Sequence, residues 1–134
     1  MNSELILVDD DDVLLVIFEK MIHKVDPGIK LIPFNSGKKA LSYLSTIPES
    51  GTNRYLLVDI NLKDMSGWDF LNELVERKDK FSKVILITSS VNSSNPITAK
   101  KYVPVIGFFE KPLTFEIIHQ ILNLIGQNST EKKE

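Results

Sequence analysis

Residues 5–15, LILVDDDDVLL, hold four consecutive aspartates between two apolar runs, and the way that crowding is relieved decides how the chain folds. Two carboxylates ~5 Å apart in surroundings of effective dielectric ~20 repel by roughly 3 kcal/mol, so the cluster opposes folding unless a cation or a helix end offsets it. LILV (5–8) reads as a buried strand. Beyond the aspartates, Leu14, Ile17, Phe18 and Met21 recur at the spacing of a helical apolar stripe. Asp11 and Asp12 fall in its first turn, where the helix end is positive. Asp9 and Asp10 remain at the strand end as a candidate cation site.

The strand-then-helix alternation continues along the chain. After Pro27 and Gly28, IKLIPF (29–34) reads as a second strand, placed at a sheet edge because Pro33 cannot donate to a ladder. Asn35 or Ser36 can cap a helix over 37–46, and IPESGTNR (47–54) is a turn-forming loop. YLLVD (55–59) is an uninterrupted apolar strand ending in aspartate, followed by a helix over about 67–77. KVILITSS (83–90) is a fourth strand, Pro96 opens a short helix over about 96–102, and VIGFFEK (105–111) is a fifth strand. Thr114 caps a last helix whose Ile117, Ile118, Ile121, Leu122 and Ile125 face inward, and Gly126 is expected to stop it. Residues 1–126 are read as one domain and 127–134, QNSTEKKE, as a polar, frayed tail.

Continuous rather than alternating apolar strands mean a parallel sheet covered on both faces. Right-handed crossovers leave the flavodoxin-like order 2-1-3-4-5 as the usual solution for five strands, so the expected fold is α/β and doubly wound. In that order strands 1 and 3 are neighbours at the switch point, and ligands bind outside the carboxyl ends of the strands. Those ends carry Asp9 and Asp10, Asp59, Thr88 and Ser89, and Lys111. Three carboxylates, hydroxyls and an ammonium therefore converge on one rim.

Composition excludes several classes of function. A chain of 134 residues, 43% hydrophobic and 25% charged, fits one ordinary globular domain. Its net charge is −2 and its Lys and Arg are scattered, so no basic stripe supports direct nucleic-acid binding. No apolar run approaches the ~18 residues of a membrane span, and no secretory leader is evident, so a cytoplasmic location and no membrane contact are expected. Without cysteine there is no disulfide, thiolate metal site or cysteine nucleophile.

The converging set suits phosphoryl chemistry. Asp9 and Asp10 can hold a hard divalent cation such as Mg²⁺, which takes oxygen ligands and shares its shell with phosphate. Asp59 can touch the same ion and act as nucleophile, since a carboxylate can form an aspartyl phosphate. Lys111 offers a point charge to phosphoryl oxygens and Thr88 a hydroxyl donor. Such catalysis is positioning and charge stabilisation.

Four stretches in order, VDDD at the first strand end, LVDINLKDMSGWDFL around Asp59, ILITSS, and GFFEKPL, resemble the receiver domain of bacterial two-component response regulators over residues 4–126. The resemblance implies that Asp59 is the phosphoacceptor, that Asp9, Asp10, Asp59 and the backbone carbonyl of Asn61 bind Mg²⁺, and that Lys111 contacts the phosphoryl group. It also implies that Thr88 is the switch hydroxyl, that Phe108 stands at the aromatic switch position, and that Lys111-Pro112 is cis. Lys63 stands where the family commonly has proline, Phe108 lacks a hydroxyl, and Asn61 and Ser90 occupy positions that influence phosphoryl lifetime. His23, His119 and Trp68 carry no comparable signal and read as surface and packing residues.

A sensor histidine kinase or histidine phosphotransfer protein would supply the phosphoryl group, and a downstream protein would be met through the face of helix 4, strand 5 and helix 5. Length leads to the expectation of a stand-alone receiver; a phosphorelay shuttle fits the same residues. Two rival classes are a Mg²⁺-dependent aspartyl-phosphate phosphatase of the haloacid-dehalogenase type, using the DxD of Asp9 and Asp11, and a flavodoxin-like cofactor protein. The first leaves Asp59, Thr88 and Lys111 without a shared role, and the second meets an acidic loop where a flavin phosphate needs amides and hydroxyls.

Overall fold

Apolar strands that bury both faces need cover above and below, and the chain supplies it. A computed structural model describes residues 3–46, 53–77, 79, 82–89 and 95–131. Within them lie strands β1 (Ser3–Val8), β2 (Lys30–Phe34), β3 (Asn53–Asp59), β4 (Ser82–Thr88) and β5 (Val105–Glu110). The helices are α1 (Asp12–Val25), α2 (Gly37–Thr46), α3 (Gly67–Glu76), α4 (Asn95–Ala99) and α5 (Phe115–Glu131). All strand pairs are parallel and the sheet order is β2-β1-β3-β4-β5, the doubly wound order expected from the sequence.

Side-chain alternation divides the strands between two cores. Ile6, Val8, Leu56, Val58, Val84 and Leu86 meet α2 and α3 on one face. Leu5, Leu7, Tyr55, Leu57, Ile85 and Ile87 meet α1 and α5 on the other. Residues 4–8 of β1 are buried, as are β3 and β4 except for half-buried Asn53 and Lys83, whereas β2 and β5, at the two edges, are only partly covered.

Three details depart from the expectations above. On α1 the buried positions are Leu15, Phe18 and Ile22, while Ile17 is exposed and Leu14 and Met21 sit at the margin. Residues 13–18 are apolar without a break, so spacing alone allows several helical phases, and packing on the sheet selects one. The short helix α4 ends at Ala99; Lys101 and Tyr102 then donate to the carbonyls of Thr98 and Ala99 in tighter turns. Finally, α5 runs through Gly126 to Glu131, so the expected stop at Gly126 is corrected. A glycine costs about 1 kcal/mol inside a helix but ends one only where the chain turns left-handed. Ser90, and most of the 47–54 loop, lie outside the described residues.

Helix starts are fixed by local chemistry. The Asp11 side chain accepts from the amides of Val13 and Leu14, Ser36 Oγ from that of Lys39, and Thr114 Oγ1 from that of Ile117. Ser66 and Asp69 form a reciprocal capping box at α3. Gly67 is required there, because a Cβ would lie 2.9 Å from the Ile60 Cα. That contact, with the Gly67 amide donating to the Ile60 carbonyl at 2.7 Å, presses the start of α3 onto the end of β3.

Candidate functional site

Register brings the acidic residues together. Val8 pairs with Val58, so Asp9 and Asp59 leave adjacent strands side by side; Asp59 pairs with Ile87, which sets Thr88 one step beyond. Thr88 pairs with Glu110, and its carbonyl accepts from the Lys111 amide at 2.7 Å. One edge of the sheet thus gathers Asp9, Asp59, Thr88 and Lys111, with Asp10 next to Asp9.

Each carboxylate is held from two sides. Asp9 Oδ1 accepts from the Asp11 amide and Asp59 Oδ1 from the Asn61 amide, both at 2.9 Å. The other oxygens face Lys111, whose Nζ lies 2.8 Å from Asp9 Oδ2 and 2.9 Å from Asp59 Oδ2. Asp9 and Asp59 are 1% and 5% exposed and Thr88 is fully buried, so these charges are largely out of water. Burial pushes the Asp9 carboxyl above the ordinary carboxylate range, and the bonds from Lys111 and Asp11 only partly offset it. Lys111 is pulled down by burial, but its bonds to Asp59 and Asp9 outweigh this and raise it above the ordinary lysine value.

One oxygen from each of Asp9, Asp10 and Asp59 lies within 4.8 Å of the other two. Ligand oxygens around an octahedral ion at about 2.1 Å are at most about 4.2 Å apart, so small side-chain rotations would close this set around Mg²⁺. The donors are all carboxylates, with no imidazole or thiolate among them, which suits a hard cation.

Of the residues singled out in the sequence, Asp9, Asp10, Asp59, Thr88, Lys111 and the Asn61 backbone share this edge. Phe108 is half-buried on β5 against the core that includes Leu86. Ser89 is exposed. The Lys111-Pro112 bond is cis. His23 and His119 are exposed, His23 Nε2 pairing with the Ile29 carbonyl at 3.0 Å. Trp68 stacks on Tyr102 with ring centres 6.0 Å apart, a packing role. Sequence reasoning missed Asp64, whose carboxylate bonds the Gly37 and Lys38 amides across 26 or more positions.

Comparisons with known proteins give the family and the fold. The chain matches the family model described as the response regulator receiver domain over residues 5–123. The hybrid signal transduction histidine kinase L of Dictyostelium discoideum is 26% identical over 135 residues, covering 97% of this chain but 8% of that protein. The chain therefore spans under a tenth of that curated relative. A two-component response regulator from Cytophaga hutchinsonii has a TM-score of 0.79 at 21% identity, covering 93% of this chain and 98% of that one. The chemotaxis response regulator CheY4 of Vibrio cholerae has a TM-score of 0.75 at 18% identity, covering 92% and 98%. These solved structures share the fold, and the family match spans the strand ends that carry Asp9, Asp59, Thr88 and Lys111: the chain belongs to the response regulator receiver domain family.

Proposed function

We propose that Asp59 accepts a phosphoryl group, in a Mg²⁺-dependent step, from a sensor histidine kinase or a histidine phosphotransfer protein. The observation that carries this reading is the Lys111 ammonium seated between the buried Asp9 and Asp59 carboxylates, at 2.8 and 2.9 Å. Asp9, Asp10, Asp59 and the Asn61 carbonyl would hold Mg²⁺, which when bound neutralises charge on phosphoryl oxygens. An Asp59 carboxylate oxygen attacks phosphorus, the bond to the donor breaks, and the donor leaves with the bonding pair. The Asn61 amide on Asp59 Oδ1 fixes the carboxylate plane, and Lys111 supplies positive charge where the transferred group gains negative charge. Incubating the chain with acetyl phosphate and Mg²⁺, then measuring intact mass, tests the reading: one added phosphoryl group supports it and an unchanged mass overturns it.

The metal itself is tested by stability. Because the Asp9 carboxyl is raised, folded chains bind more protons than unfolded ones just above pH 3.8, so the stability from this group is full below that value and is lost as pH rises through its folded value. At neutral pH ionised Asp9 is therefore a net cost in the metal-free protein. Asp9→Asn should raise the melting temperature in EDTA at pH 7. At saturating Mg²⁺ the order should reverse, since an ion at 100 times its Kd adds about 2.7 kcal/mol to a chain that binds it.

The response to phosphorylation runs through Thr88 and Phe108. An added phosphoryl group brings nearly two charges and new acceptor oxygens; Thr88 moves toward it, Phe108 turns into the space released, and the face of α4, β5 and α5 is remodelled for a downstream protein. Taking a state from 1% to 99% occupancy needs about 5.5 kcal/mol of differential stabilisation. That face carries Ile97 and Val103, 64% and 96% exposed, beside a cleft of about 460 Å³ lined by Tyr102, Val105 and Phe108. Thr88→Ala should still take up the phosphoryl group, while the amide NMR shifts of residues 103–108 on phosphorylation shrink by more than half; shifts equal to those of the native chain would sink the coupling. No described helix is long and apolar enough to cross a membrane, in keeping with a proposed cytoplasmic setting.

A further inference from the structure

Helix α2 has no acidic residue in its first turn and no basic residue in its last, so it does little to satisfy its own dipole. Residues flanking α3 bond it at two places. At the start, Asp64 Oδ1 accepts from the Gly37 amide at 3.1 Å and Oδ2 from the Lys38 amide at 2.9 Å. Further along, Arg77 Nη1 donates to the Leu41 carbonyl, in the middle of the helix, and to Ser45 Oγ, both at 2.9 Å. Met65 lies over Gly37, where a Cβ would come within 2.7 Å of the Met65 Sδ.

The segment bearing Asp64 is the one that leaves Asp59. Its inner arm is pinned three times: the Asn61 amide bonds Asp59 Oδ1 at 2.9 Å, Asn61 bridges Ser66, and the Gly67 amide bonds the Ile60 carbonyl. Its outer arm is different. Asn61, Lys63 and Asp64 are exposed, and apolar contact holds this arm through Leu62 and Met65. Loops of this kind move on nanosecond to microsecond timescales unless they are tied down. The two bonds from Asp64 add the polar tie to α2. Burial raises the Asp64 carboxyl, but the amides of Lys38 and Gly37 together outweigh this and hold it below the ordinary range, as expected for a carboxylate set at a helix start.

We propose that Asp64 is a positioning residue: by gripping the first amides of α2 it holds the 60–66 turn so that the Asn61 carbonyl stays beside Asp59, ready for the divalent cation. This rests on the reading of Asp9, Asp10, Asp59 and Asn61 as the Mg²⁺ site. Outer contacts that orient metal ligands are commonly worth tenfold or more in affinity, so Asp64→Ala should weaken Mg²⁺ binding about tenfold by calorimetric titration. Arg77→Ala is the matched control. It removes the other polar link between the α3 flank and α2 and should also lower the melting temperature, but it leaves the turn tied, so its Mg²⁺ affinity should stay native.

Hydrogen exchange at the Asn61 amide gives a readout without metal. It should accelerate in Asp64→Ala and stay native in Arg77→Ala, with Asp64→Asn, which keeps one acceptor, in between. Asp64→Asn also serves the comparison should Asp64→Ala not fold. Native Mg²⁺ affinity in Asp64→Ala, or equal losses in Asp64→Ala and Arg77→Ala, would overturn the positioning role. Absence of saturable Mg²⁺ binding by the unsubstituted chain would instead overturn the metal reading, and this role with it.

Discussion

Asp59→Asn should remain folded and take up no phosphoryl group from acetyl phosphate under conditions that fully convert the native chain. Asparagine is nearly isosteric, and its amide oxygen can still accept from the Asn61 amide, as Asp59 Oδ1 does at 2.9 Å, so the turn after β3 keeps its anchor. What disappears is the anionic oxygen that forms the new bond to phosphorus. Losing a covalent nucleophile costs on the order of 10⁴-fold or more in rate, which intact-mass measurement would read as complete loss. The informative failure is retention of the phosphoryl mass. That result would move the acceptor to another carboxylate at the rim, with Asp9 and Asp10 the nearest, and would end the reading built on Asp59. A second variant, Asp59→Glu, keeps the charge but moves it one carbon away from its place beside Lys111; it too should fail, because the chemistry depends on placement.

That a site could be read from sequence here follows from sheet geometry. In a parallel sheet every strand points the same way, so the residues that end the strands share one edge whatever their separation along the chain. Uninterrupted apolar runs such as LILV and YLLVD announce strands buried on both faces, and the burial of β1, β3 and β4 bears that out. Aspartates at the ends of two of them then fall together by topology alone. Where the sequence was silent, the missing information was three-dimensional. The phase of α1 was ambiguous because six apolar residues, Val13 to Phe18, satisfy more than one stripe. The end of α5 lies beyond Gly126 because glycine weakens a helix without dictating where it stops.

The electrostatic partners were harder still. Nothing in the spacing of Lys111 shows that its ammonium reaches Asp9, 102 positions earlier, as well as Asp59. Nor does DMSG betray that Asp64 serves a helix begun 27 residues before it. Long side chains that bridge separate elements leave no periodic trace. At the opposite edge of the sheet, buried Glu4 likewise meets Tyr43 of α2 at 3.1 Å, a pairing equally invisible in the sequence.

Lys111→Ala should produce the largest loss of stability among the site substitutions, and one that depends on metal. Removing the ammonium leaves two carboxylates, 1% and 5% exposed, facing each other without a counter-charge. Breaking a buried ion pair by removing one partner costs about 3 kcal/mol, and for a chain of this size that lowers the melting temperature by roughly 10 °C. The deficit should be full in EDTA and largely recovered by saturating Mg²⁺, because the ion then balances the charge that Lys111 balanced. Its pH dependence follows from the shifts. The Lys111 pKa is raised in the folded chain, so its contribution is intact below about 10.5 and disappears only as pH climbs through the higher folded value. On the acid side the deficit should narrow before pH falls to 3.8, since Asp9, with its raised pKa, takes up a proton early. Rate should fall as well. Loss of a charge aimed at the transferring group costs on the order of 10² to 10³, and Mg²⁺ that rescues folding should not restore it, because folding needs any counter-charge whereas transfer needs one at the phosphoryl oxygens. Lys111→Arg separates the two roles: its charge should recover much of the stability, while its planar fork cannot point one compact ammonium at both Asp9 Oδ2 and Asp59 Oδ2. Native stability of Lys111→Ala in EDTA would show that the ammonium does not offset the carboxylates at all.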